Sequence, residues 1–540
     1  MRKILFMLFF CITLCVLSCS LSRQKFPPFS VCEYMNKGKW GFIDNNGNVV
    51  IGFQFDYTGY FSEGLAAVKI SGKWGYINES GRIVIAPQFD DAEAFCEGLA
   101  RVYTEKGRYN GKYGFIDKTG KIVIDTQFLD AYDFSEGLAA VAVGEKDEST
   151  GCYVGSAPKW GFIDKTGNLV IKHQFDEAKS FSEGLALVGV GQLEDVRYGF
   201  IDKTGGFVIQ PQFWAASGFS EGLAPVAPSR ESGEWGYIDK NGTFVIQPRF
   251  YSAQPFSEGL ALVSTWEHRG NVNIDICHFI DKTGRPAIDR EFVWAMSFSE
   301  GLAPVMPSSK VLCRWGYIDK RGNMVIKPRF DTVSRFEPRG LAWVMICGKQ
   351  AYITKNGEFF WKSPLENVAE AAYYGDIETV RRMIDSGKDV NVYAEWGTAL
   401  HYAAELGDPE MVRLLIAHGA AVNAQMKGGF YEGDTPLYRA VEGEYKEIIE
   451  ILLSAGADIN ARSRSIEDTP LHVAVGRHNR EIVQLLIARG CDINARASLE
   501  GTPLDLAATL GYTDIVELLR EHGAKREEEL ESENDTPSPR

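Results

Sequence analysis

Two rows of carboxylates are the groups in this chain whose number and spacing could do chemistry. Asp44, Asp117, Asp164, Asp202, Asp239, Asp281 and Asp319 recur at one kind of position, and Glu63, Glu97, Glu136, Glu183, Glu221, Glu258 and Glu300 at another. Carboxylates in register could ladder cations or line a binding groove. Each row also has a structural reading. An Asp at a turn hydrogen-bonds the turn backbone, and this is the favoured reading of the first row. The glutamates would be solvated or paired with the Lys and Arg that precede nearby tryptophans. Groups for catalysis are sparse. Of eight histidines, His173, His268 and His278 stand far apart with no matching Cys or acid spacing. The chain has no Walker loop, HExxH or Gly-x-Ser-x-Gly elbow. Cys32, Cys96, Cys152, Cys277, Cys313, Cys347 and Cys491 form no CxxC or zinc spacing. They read as small buried hydrophobes, with disulfides open in an oxidising compartment. The sequence therefore offers no catalytic residue, no metal ligand and no cofactor, and noncovalent binding is favoured over catalysis.

The elements that carry these rows repeat. Phe-Ser-Glu-Gly-Leu-Ala stands at 61–66, 134–139, 181–186, 219–224, 256–261 and 298–303, with a Cys96 copy at 95–100 and a looser one at 336–342. Tandem similarity of this kind means one small unit stacked many times. In Lys159–Ile171, aromatic and β-branched residues flank a polar turn, which is a hairpin signal. Gly167 falls three residues after Asp164, the spacing of a type I turn closed by a left-handed glycine. The motif segment follows as a third strand, so each unit is expected to be a three-stranded antiparallel meander that buries too little alone.

The slot before the recurrent glycine holds Trp40, Trp74, Tyr113, Trp160, Tyr198, Trp235, Cys277 and Trp315. This pattern resembles the WG-repeat family, named for its Trp-Gly dipeptide, over residues 29–361. The resemblance implies an all-β architecture and no general catalytic role. Two arrangements satisfy the units: an open β-solenoid, which is favoured, and a closed propeller-like ring. In a ring, Ser30–Asn36 and Tyr352–Trp361 would complete one blade. The Cys277 unit carries His278 in place of glycine and is expected to be irregular. Trp214, Trp266, Trp294 and Trp343 lie outside the slot and are the candidates for an exposed stacking surface that could bind glycan.

From Pro364 the apolar period becomes helical. Thr398-Ala399-Leu400-His401, Thr435-Pro436-Leu437-Tyr438, Thr469-Pro470-Leu471-His472 and Thr502-Pro503-Leu504-Asp505 open successive units, and Gly419–Asn423, Gly456–Asn460 and Gly490–Asn494 end them. Thr caps a helix, Pro at its first turn loses no needed donor, and Gly permits a left-handed exit. These units resemble ankyrin repeats, about five over residues 364–526 with a divergent first unit at 365–392. Tyr438 and Asp505 depart from the family's His and put local hydrogen bonding in question. The resemblance implies protein binding through hairpin fingers, which here places Tyr393, Trp396, Phe430, Tyr431, Arg462, Arg464 and Arg496 as partner-binding residues.

The first residues belong to neither array. Arg2 and Lys3 precede an apolar run from Ile4 to Leu17, too short to span a bilayer and suited to a signal peptide over residues 1–18. Val16-Leu17-Ser18-Cys19 resembles the lipobox of bacterial lipoproteins, which implies lipidation at Cys19 and a tether over 19–28. Residues 362–363 read as the linker between arrays and 527–540 as a charged, disordered tail. A net charge of −15 disfavours nonspecific nucleic-acid binding. The expectation is an exported, membrane-anchored envelope protein that recognises protein partners through repeat surfaces.

Overall fold

The computed structural model describes residues 29–534, except 34–38, 45–47, 106–110, 145–156, 192–194, 270–271, 308–313, 339, 347–348, 363–364, 429–431, 464–466 and 499–500. The signal segment, Cys19 and the tether thus lie outside the described residues. So do Ser363, Phe430, Tyr431 and Arg464.

The β half is built from small antiparallel sheets. In one unit Lys73–Asn78 lies between Leu65–Ile70 and Ile83–Phe89. The motif strand therefore joins the hairpin that follows it in sequence, which corrects the expected phase. A short strand, as small as Asp91–Ala92, adds a fourth member beside the next motif strand. The phase escapes sequence reading because the same three strands alternate along the whole array, and only long-range pairing decides where a sheet begins.

The Trp-Gly dipeptide sits at a register shift between hairpin strands, as between Trp160 and Phe162. There the partner strand bends close over the glycine. A Cβ on Gly161 would lie 2.5 Å from the Ile171 carbonyl oxygen, and equivalent contacts recur at Gly75, Gly199, Gly236 and Gly316. This is steric exclusion of a side chain at a bulge. Where His278 replaces that glycine, no long outer strand forms. Phe292–Ala295 pairs instead with both Val272–Ile280 and Leu302–Pro307, which fuses two units into one seven-stranded sheet.

Eight sheets precede the helices, and the seven-stranded one holds two units, so the described units number nine. Each junction between neighbours has its own core. Between the third and fourth units, Leu99 and Phe115 meet Ala139, Val141 and Ile163. The same slots meet between the ninth and the first: Leu341 and Tyr352 pack on Ile43, with Phe53, Trp343, Phe360 and Trp361 against them. The open solenoid favoured from the sequence is corrected: the chain adopts the other arrangement, the closed, propeller-like ring, because its first and last units meet in a shared core. The ends do not merge into one blade. Phe29–Glu33 pairs with Lys39–Ile43 in the first sheet, and Leu341–Ile346 pairs with Lys349–Thr354 in the last.

Five antiparallel helix pairs follow, from Val368–Tyr373 and Ile377–Asp385 to Pro503–Thr509 and Thr513–Glu521. Thr398, Thr435, Thr469 and Thr502 take the N-cap positions. His401 and His472 complete capping boxes through Nδ1, and Asp505 does the same with its carboxylate. Tyr438 instead sends its hydroxyl to Asp468 at 2.8 Å. The Asn that ends each unit bridges to the next, as Asn423 accepts from the Asp458 N–H at 2.8 Å and donates to the Gly456 carbonyl at 3.0 Å.

Two sequence expectations change here. Lys362 is not linker: it ends the strand Phe359–Lys362 and forms an ion pair with Asp376. The acidic tail forms a helix at Glu527–Asn534, because Arg520 holds the Glu529 carboxylate with two bonds of 2.6 Å and Asp505 accepts from the Glu527 N–H at 2.9 Å. Among the described residues no helix is long and apolar enough to cross a membrane.

Candidate recognition surfaces

The recurrent motif is a staple between units. The Oγ–H groups of Ser62, Ser135, Ser182, Ser220, Ser257 and Ser299 donate to the motif Phe carbonyl of the next unit at 2.6–2.8 Å. The seven row glutamates have φ of 52–56°, in the left-handed region. That turn aims six of the carboxylates, from Glu63 to Glu258, at the following motif glycine N–H, at 3.0–3.1 Å. All seven also take an ion pair from a turn lysine of the next unit, Lys118, Lys165, Lys203, Lys240, Lys282, Lys320 and Lys355 in order, at 2.9–3.2 Å. The glutamate row is thus committed to unit-to-unit contacts. The lysines before the tryptophans have other partners, as Lys39 with Asp56 and Lys73 with Asp90.

The aspartate row serves its turns. Asp117 accepts from the Thr119 hydroxyl at 2.6 Å and from the Thr119 and Lys121 N–H groups at 2.9 and 3.1 Å. These bonds, the Thr119 hydroxyl foremost, hold its carboxyl below the usual range. Asp164, Asp202 and Asp281 repeat the arrangement with Thr166, Thr204 and Thr283. Among the described residues no cluster of three or more His, Cys, Asp or Glu could hold a metal ion.

Of the four tryptophans outside the slot, Trp266 and Trp294 are exposed, at 47% and 57%. Trp266 meets Tyr251 edge to face at 4.6 Å. Trp214 is half-buried, and Trp343 packs into the junction of the ninth and first units. Tyr251 escapes sequence reading because it fills a slot where several siblings carry Asp.

On the helical array, the structure spreads the described candidate residues, Tyr393, Trp396, Arg462 and Arg496, over successive turns. Tyr393 is half-buried, donates its hydroxyl to the Gln425 carbonyl at 2.9 Å, and carries the Lys427 ammonium over its ring at 3.9 Å. Trp396 is half-buried. Arg462 is exposed and donates to the Arg496 carbonyl at 2.6 Å. Arg496 faces Glu527 and Glu531 of the last helix at 3.6 and 3.8 Å. Between these turns lies a hollow of about 470 Å³ lined by Asn423, Gln425, Thr435, Asp458, Asn460, Ala461 and Arg462. Arg462 alone of that lining follows from finger reasoning. The amides and Asp458 read in sequence only as turn residues.

Beneath this edge runs a buried ionic chain. Arg439, on Pro436–Glu442, pairs with Glu442 at 2.5 Å, Glu405 at 3.2 Å and Asp434 at 3.5 Å. Arg477 reaches Glu442 at 3.4 Å. Burial pushes the Asp434 carboxyl up to about 8, against the opposing pull of Arg439 and with the help of Glu442 and Asp468. Burial likewise lowers His401 to about 4, so its neutral ring donates from Nε2 to the Asp434 carbonyl at 3.1 Å. These histidines are structural.

Comparison with known families agrees with the two geometries. A model described as the WG containing repeat matches residues 40–74, 74–109, 113–146, 160–193, 198–227, 235–265, 279–306 and 315–349. A model described as ankyrin repeats matches 368–463 and 464–528. No curated protein matches this chain. The molecule carries eight WG containing repeats followed by ankyrin repeats.

Proposed function

We propose that the chain is a non-enzymatic scaffold of the cell envelope that binds protein partners at the turn edge of its ankyrin array. The observation that carries this reading is the 470 Å³ hollow with exposed Arg462 on its wall. Its amide and carboxylate lining suits the main-chain groups of a peptide segment, and Arg is a residue type enriched where truncation costs most binding energy. The arrays supply broad preformed surfaces, so little ordering entropy opposes association. Crosslinking in envelope preparations, followed by capture of the full chain, tests it. Arg462→Glu and Gln425→Ala should remove the same partners while leaving the melting temperature unchanged. Partners that persist through both substitutions would move recognition elsewhere.

The envelope location rests on the N-terminal sequence. Cys19 would take the lipid, residues 1–18 would be removed, and 19–28 would tether the ring. Incorporation of labelled palmitate that disappears in Cys19→Ser tests the anchor. A second reading, glycan binding, is favoured by the exposed Trp266–Tyr251 pair and by Trp294. Aromatic faces of this kind stack on sugar rings. Saturable glycan binding lost on Trp266→Ala and Trp294→Ala would support it, and its absence would remove it.

A further inference from the structure

We propose that the ring rests on a lipid surface by the face that carries its motif turns, with a row of exposed valines as the contact. This inference rests on the Cys19 anchor proposed above and adds which face meets the bilayer. The row lies on the outer hairpin strands. In Ile83–Phe89 the residues Ile85 and Phe89 are buried, and Val84 stands on the other side of the strand. A valine at this place is exposed in seven of the nine units, among them Val84, Val123, Val170 and Val208 at 43, 39, 44 and 46%. In five of those units the residue before it is exposed too, as Ile83, Ile122 and Leu169 are. Twelve of the eighteen large apolar residues exposed among the described ones thus occupy one place in the repeat, whereas incidental surface apolar residues scatter singly.

Strand direction fixes the face. Each valine closely follows its hairpin turn, as Val123 follows the turn in which Asp117 donates to the Lys121 carbonyl. The turn lysines of these hairpins reach motif-turn glutamates. Both kinds of turn therefore lie on one face, and the valines rim it. The chain also enters the ring there, because Phe29 pairs with Ile43, the last residue before the first hairpin turn. Ten residue steps separate Cys19 from Phe29. Their reach is about 35 Å at full extension, so a lipid on Cys19 holds this face nearest the bilayer. The helices join at the opposite face. Phe359–Lys362 runs away from its turn, and Lys362 and Lys349 at that far end pair with Asp376 and Glu370. The exposed Trp266 lies at the far end as well, paired with Asp275 beyond the Ser264–Cys277 pair. Both binding surfaces proposed above therefore point away from the valine face. The chemistry of that face suits a headgroup layer. Its seven lysines keep 41–46% of their side chains exposed while they hold the motif glutamates. Turn N–H groups engage the aspartates, as at Asp117 and Asp164. The carboxylates there thus repel an anionic layer less, and apolar side chains beside lysines make a surface that settles at the headgroup boundary.

A benzophenone amino acid replacing Val123, Val170 or Val208 in the full chain, illuminated in cell-envelope membranes and read by mass spectrometry, tests this. The control positions are Gln127, Gln174 and Gln212, exposed on the same strands and the same side, about 13 Å farther from the turn. Phospholipid adducts should form at the valine positions at least about fivefold more than at the glutamine positions. Equal lipid adducts at both sets would overturn the proposal, because contact would then not select this face. So would valine positions that crosslink a second copy of this chain, or another protein, in place of lipid. Sedimentation of the native chain and of Cys19→Ser with membranes reads the anchor separately. A chain that sediments through Cys19 yet gives no lipid adduct at the valines overturns the face assignment and leaves the anchor standing. A native chain that does not sediment with membranes removes both.

Discussion

At the residue scale, the Trp-Gly dipeptide and the motif glutamate answer two different backbone demands. The dipeptide glycine is required by a close approach, not by its own dihedral angles: the Ile171 carbonyl occupies the space a Cβ would need at Gly161. Gly161→Ala should therefore cost about 1–3 kcal/mol as overpacking, seen as a lower melting temperature. Gly218→Ala is the control, since nothing lies within 4 Å of its Cβ position, and it should leave melting unchanged. Equal losses in both would remove the steric account. Buried charge makes a second demand at Asp434, whose carboxyl is pushed from its ordinary 3.8 to about 8. The folded state thus holds a proton that the unfolded state has released. Stability from this group is full below about pH 4 and is lost as pH rises toward 8. Melting temperature should fall between pH 5 and pH 8.5 in the native chain, and Asp434→Asn, which mimics the protonated acid, should flatten that fall. An unchanged slope would show that other groups, Glu442 first among them, govern the dependence.

At the element scale, each motif turn combines a strained residue with a useful carboxylate. Glu183 sits at φ 54°, accepts from the Gly222 N–H at 3.1 Å and pairs with Lys240 at 3.2 Å. Glu183→Ala loses the carboxylate and keeps the left-handed strain, while Glu183→Gly loses the carboxylate and relieves the strain. The alanine variant should be less stable than the glycine variant by about 1 kcal/mol, measured by chemical denaturation of the two side by side; parity would mean the turn relaxes. Contacts of short and long sequence range differ in how legible they are in the sequence. Local rules are visible in it: turn glycines at one offset from Asp, Thr caps before Pro, and the Trp-Gly alternation all report neighbours a few residues away. The helical array is the fullest case, because Thr469 and His472 complete their box within one turn. The rest is long-range. Nothing near Glu63 in sequence announces Gly98 or Lys118 as partners, and the meeting of Ile43 with Leu341 depends on curvature accumulated over nine units. On the turn edge of the helical array, Arg462 was legible as a candidate finger residue, whereas Asn423 and Asn460 line the hollow only because successive turns stack there.

At the scale of the whole molecule, the short connection between arrays hides a continuous interior. One hydrophobic core runs from Tyr317, Val333 and Phe336 of the last β units through Val368, Ala372 and Tyr373 to Leu519. Polar contacts reinforce it. Arg314 pairs with Asp331 and reaches Glu405 at 3.6 Å, and its guanidinium lies over the Tyr373 ring at 4.9 Å. Tyr373 donates to Asp331 at 3.0 Å, and Lys349 meets Glu370 at 2.9 Å. Because Glu405 also pairs with Arg439, the ionic chain crosses from the ring into the helices without leaving the interior. An interface with a shared core makes the two arrays unfold as a coupled unit, whereas independent domains on a linker would melt separately. Calorimetry of the native chain should show the loss of β and helical signals at the same temperature. Tyr373→Ala removes the ring that packs on Tyr402 at 4.2 Å and supports Arg314, a truncation of the kind that costs about 3–5 kcal/mol in a packed core. It should split that transition in two, with the helical signal lost first because the cavity opens on the helix that joins the arrays. Two separate transitions already present in the native chain would mean that the common core does not couple them, and a partner bound on the ankyrin edge would then have no mechanical route to the ring.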